Sequence, residues 1–112
     1  MPEETLLDSI EVIGDGISAI NQRLANTLPT EAGFSQLEQE RDRALDKLHL
    51  LVRVFTANST LRFIKADSEL ATVNADMIKT LNQVAKLQNT INMVTRFISA
   101  IDTIIASVSQ VL

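Results

Sequence analysis

The chain has one histidine, His49, and its surroundings are the place to look for chemistry. Asp46 stands three residues before it and Asp42 four before that, so on a helix the three side chains share one face. Imidazole and carboxylates at that spacing are a candidate set of metal ligands. Di-iron bundles, however, use Glu-x-x-His twice with two further inward glutamates, and this sequence supplies a single histidine. Glu38 and Arg53 fall on the same face, opposite the apolar stripe of their helix. That makes a solvated charged face the expected reading of His49, and a metal-binding bundle enzyme the weaker alternative.

Other catalytic arrangements fail earlier. A serine triad needs a histidine base among serines held on turns, and His49 is set in a charged helix face. The paired carboxylates are surface neighbours with no aromatic pocket around them. No Walker loop or GxGxxG is present, and Gly14-Asp15-Gly16 lacks the ligand-bearing neighbours of a calcium or phosphate loop. With no cysteine there is no disulfide, thiolate metal site or thiol nucleophile. The expectation is a non-enzyme with no cofactor and no metal.

Charge narrows the partners. Residues 1–31 hold six acids against one base, and residues 32–79 balance seven against seven. No basic block offers a footprint for nucleic acid, and the acidic start argues against an anionic membrane surface. Met1-Pro2-Glu3-Glu4 does not read as a signal peptide, so the expected compartment is the cytoplasm and the Asn58-Ser59-Thr60 sequon is expected to be a polar turn.

The elements that carry these residues follow from periodicity. Pro2 with Glu3 and Glu4 suits a helix start, and Leu6, Ile10, Ile13, Ile17, Ile20 and Leu24 recur in alternating steps of four and three. This predicts a helix over about 3–27, continuous through Gly14 and Gly16 because the seam keeps its phase. A loop over 28–34 follows. Ser35 and Glu38 then have the form of a capping box opening a helix over about 35–56, with Leu37, Ala44, Leu48, Leu51, Val52 and Phe55 on its apolar side. Arg41 lies near that stripe and is expected to snorkel or to pair with an acid of the first helix. A turn is expected at 57–60.

From 61 to 111 no strong stop signal occurs. One unbroken helix there would be about 77 Å long, whereas a domain of this size has a radius of gyration of only about 13 Å. The segment is therefore either one projecting helix or two, with Asn74 and Gln88-Asn89-Thr90 as weak breaks. The predicted fold is all-α: an antiparallel three- or four-helix bundle in a single 1–112 domain.

Its last third dominates the architecture. Residues 81–112 contain no glycine or proline and only three charges, Lys86, Arg96 and Asp102. Ile91, Val94, Ile98, Ile101, Ile105 and Val108 form a seam, and Phe97 and Ile104 sit in a second stripe beside it. A helix with two apolar stripes packs on two neighbours at once. These eight residues are the predicted interface of a small protein–protein interaction or assembly module whose partner is itself, and Ile101→Asp is expected to make it monomeric or unfolded. The alternative occupant of the stripes is the bundle's own core. A membrane-active, pore-forming-like helix is a further alternative, opposed by Asn92, Arg96, Asp102 and Gln110 within the span.

Overall fold

A computed structural model of the chain describes residues 3–57, 62–64, 70–83 and 87–111. In order, these form strand β1 (Glu3–Thr5), helices α1 (Leu6–Ala25) and α2 (Phe34–Ala57), strand β2 (Arg62–Ile64), and helices α3 (Leu70–Leu81) and α4 (Leu87–Val111). The fold is all-α, four helices around one core, with a three-residue antiparallel ladder that joins β1 to β2 at one end. It measures 43 × 24 × 17 Å, with a radius of gyration of 14.4 Å.

The described residues of 70–111 thus form two helices and not one. The helices end at Leu81 and restart at Leu87, between the two breaks that the sequence suggested. Asn74 lies in the middle of α3 instead of at a break, and Gln88-Asn89-Thr90 falls in the first turn of α4. The seam survives because its first member, Ile91, lies four residues inside α4, which begins at Leu87. Arg62–Ile64 is not helical: it pairs with Glu3–Thr5, in the register Glu3↔Ile64, Glu4↔Phe63 and Thr5↔Arg62. The ladder also takes Glu3 and Glu4 out of the first helix, whose first-turn acid is Asp8. Thr5, Phe63 and Ile64 are strand-favouring types, which no helical seam overrides there. The expected start at Pro2 lies outside the described residues, as does the expected turn at 57–60 except for Ala57, which is the last residue of α2.

α1 runs unbroken through Gly14 and Gly16. Its last turn is closed by short polar side chains: Asn26 Nδ2 donates to the Gln22 carbonyl at 3.0 Å and Thr27 Oγ1 to the Arg23 carbonyl at 2.6 Å. α2 opens one residue earlier than the capping box implies. Gly33, with φ of 92°, holds the cap position, and its carbonyl accepts the Leu37 amide at 2.9 Å, which leaves Ser35 inside the first turn.

The arrangement of the four helices follows from a few contacts. α1 neighbours α2 and α3, and α4 neighbours the same two, so α1 faces α4 and α2 faces α3 across the diagonals. The hairpins α1–α2 and α3–α4 are antiparallel. Between hairpins the direction differs: Arg23 reaches Leu81, and seven residues earlier on each helix Gly16 meets Asn74. Equal steps in the same sense make α1 and α3 parallel. Lys47 pairs with Asp102, and four residues earlier on each helix Arg43 and Ile98 line one cleft, so α2 and α4 are parallel too. Since α2 and α3 are diagonal, the end of α2 and the start of α3 lie on opposite corners of the bundle. α3, at 12 residues, is about half as long as α4 at 25, and β2 packs on α4 where α3 gives out.

Candidate functional site

α4 shows most clearly where the predicted interface residues go. Ile91, Val94, Phe97, Ile98, Ile101, Ile104 and Val108 are buried inside the chain's own bundle, and Ile105 is half-buried against the core. Both apolar stripes are used, one toward α3 and one toward α2, as a helix at the junction of two hairpins requires. The opposite face carries exposed Asn92, Thr95, Arg96, Ser99 and Thr103. Thr95, Thr103 and Ser107 donate their hydroxyls to carbonyls one turn back, at 3.0, 3.2 and 3.0 Å. A face that satisfies its hydroxyls on its own backbone presents few free donors. Thr90–Gln110 is long and apolar enough to cross a membrane by length and composition, with mean hydropathy of 1.4.

Of the charges in the last third, Asp102 is taken by Lys47 of α2, and Arg96 turns toward Met93 Sδ at 3.8 Å. The Lys47–Asp102 pair crosses an open cleft of about 410 Å³ lined by Arg43, Asp46, Lys47, Ile98 and Asp102. Asp102 is 54% exposed, so the pair is worth no more than about 1 kcal/mol. It sets the register of α2 on α4 more than it holds them together.

On α2, Glu38, Asp42, Asp46, His49 and Arg53 are all exposed on the side away from the core, whose α2 contributors are Leu37, Ala44 and Leu51. The spacing of His49, Asp46 and Asp42 does place them on one face. Among the described residues, no group of three histidine or acidic side chains is gathered tightly enough to hold a metal ion. Arg41 does reach the first helix, but its partner there is an amide: Nη1 donates to Asn21 Oδ1 at 3.0 Å, while Nε pairs with the neighbouring Asp42 at 3.0 Å.

Sequence periodicity missed the α1–α3 seam. Ser9, Gly16 and Arg23 recur every seven residues along one side of α1; Gly16 meets Asn74 and Arg23 meets Leu81 on α3, where Asn74 is buried. Gly16 admits the Phe97 ring from the diagonal helix α4. Arg23 donates from Nη1 to the carbonyls of Leu81, at 3.1 Å, and Gln83, at 2.8 Å, and so caps the C-terminus of α3 from a neighbouring helix. Ser9 Oγ and Asn74 Oδ1 are buried without a hydrogen-bond partner among the described residues. The α1–α3 seam is therefore small and polar, in contrast to the aliphatic packing of α4. A signal existed in the heptad spacing of Ser9, Gly16 and Arg23, but it has no hydrophobic period to reveal it.

These features define a small four-helix protein made of two antiparallel hairpins laid side by side. Compared with protein-family models, with curated proteins and with solved structures, the chain matches none.

Proposed function

We propose that this small helical protein is a non-enzymatic interaction module of the cytoplasm that associates with itself through helix–helix packing. The observation that carries the reading is the second half of α2. Leu48, Leu50, Leu51, Val52, Val54 and Phe55 crowd into eight positions, interrupted only by His49 and Arg53. At about 100° per residue they cover an arc of about 200°, wider than one side of a bundle core needs. Leu51, at its centre, is buried, whereas Leu50 and Val52 at the two rims are each 39% exposed. Since the α4 seam is spent on the chain's own core, the surface offered to a second copy is this one. Light scattering over a concentration series tests the reading: the expected species is a dimer or larger that dissociates on dilution, and a monomer at every concentration would remove it.

A second reading has its own support in α4, whose length, apolar content and internally satisfied hydroxyls suit a helix that enters lipid. It requires the two hairpins to part, because α4 is otherwise the centre of the core. Dye release from liposomes at micromolar protein distinguishes it; vesicles that stay sealed would end it.

A further inference from the structure

The self-association reading leaves open how two copies meet, and the outer face of α2 answers that in its order of charges. Asp42 and Asp46 come first along the exposed stripe, and His49 and Arg53 follow. Asp42 and Arg53 lie equally far on either side of the point between Lys47 and Leu48, as do Asp46 and His49. A two-fold axis through that point brings each acid opposite a base of the other copy. A parallel pairing would set like against like. Self-complementarity of this kind is what an isologous contact demands.

We propose that two copies of this chain pair α2 against α2 in antiparallel fashion about that axis, with Asp42 on the partner's Arg53 and Asp46 on the partner's His49. Leu45 and Val52 flank the stripe on one side and Leu50 on the other; Leu45 is half-buried and the other two are exposed. Because a two-fold axis keeps each flank on its own side, Leu45 meets the partner's Val52. Exposed ion pairs add little affinity by themselves, so these apolar flanks provide adhesion and the charges set direction and register. Asp42 keeps its Oδ1 contact with Arg41 and has its second oxygen left for the partner.

Acids before bases also suit the dipole of a single helix, so one reversal alone does not decide the matter. The test is sedimentation velocity on the full chain at low salt, with circular dichroism as the check on folding. Asp42→Arg and Arg53→Asp should each weaken the dimer at least tenfold. The double variant D42R/R53D should restore it, although both changes oppose the helix dipole. The two single variants, monomeric alone, should also pair with each other when mixed. A dimer indifferent to the single reversals overturns this geometry and leaves self-association standing. Loss without recovery in the double variant or the mixture overturns the charge pairing. A wild-type monomer overturns both.

Discussion

The ring of Phe97 on α4 closes over the backbone of Gly16 on α1. A Cβ placed on Gly16 would stand 2.5 Å from Phe97 Cζ and 2.8 Å from Cε1, with Asn74 Oδ1 crowding it from α3. Three helices meet at that point, and the contact spans the α1–α4 diagonal of the bundle. Gly14, two residues away, has nothing within 4 Å of the same construction.

The two glycines therefore respond in opposite directions to alanine. Gly14→Ala stabilises the protein by up to about 1 kcal/mol, the difference in helix propensity. Gly16→Ala gains the same propensity but forces Phe97 aside, and overpacking of a filled core costs about 1–3 kcal/mol. Urea unfolding of both variants gives the signs. A cycle with Phe97→Leu adds a stricter check: the two changes should be coupled by more than about 0.5 kcal/mol, because the smaller side chain relieves the clash. Additive effects would show that the ring does not rest on Gly16.

Ser9 is fully buried, and its hydroxyl has no partner among the described residues. Ser9→Ala removes an unsatisfied polar atom and improves helix propensity, so stability rises by about 1 kcal/mol. Thermal unfolding measures it. A loss of stability would place a hydrogen-bonded partner, a water included, on Ser9 Oγ.

How much of this was legible beforehand differs between seams. The α4 seam is aliphatic and periodic, so the residues that enter the core could be named from spacing alone; that they face the chain's own helices depends on how the hairpins pack, which periodicity does not encode. The continuity of α1 through Gly14 and Gly16 was legible for the same reason. The break near Asn82 was not, because that stretch carries no glycine or proline and the helix ends where α4 needs room to turn back. The strands were hidden as well: three residues give too short an alternation, and pairing Glu3–Thr5 with Arg62–Ile64 depends on contacts distant in the chain. The α1–α3 seam escaped notice because a serine, a glycine and an arginine have no shared hydropathy.

Gly33 has φ of 92°, in the region that side chains with a Cβ rarely occupy. It sits at the mouth of α2, and its carbonyl holds the Leu37 amide. Gly33→Ala should therefore cost about 1–2 kcal/mol, as strain at the cap. Chemical denaturation reports the loss, and Ala32→Gly is the control: a similar loss there would mean that the loop is sensitive to any change.

Arg23 joins α1 to α3 more specifically than any apolar contact does. Its Nη1 serves the Leu81 and Gln83 carbonyls at the C-terminus of α3, where backbone acceptors lack partners within their own helix and the dipole favours positive charge. α3 has only 12 residues, too few to be helical alone, so this cap and the packing of Val73, Met77 and Leu81 must hold it. Arg23→Ala withdraws a charged donor from two carbonyls and should destabilise the fold by about 1.5–3 kcal/mol. The pattern is more telling than the total. Amide exchange should quicken first at Ile78–Gln83, because loss of the cap frays the end of α3, while the α4 amides from Val94 to Ile101 keep their protection until global unfolding. Lysine keeps the charge but not the fork, so Arg23→Lys should recover part of the stability and less of the protection at Gln83. Uniform acceleration across all four helices in Arg23→Ala would show instead that Arg23 supports the core as a whole and does not act as the cap of α3.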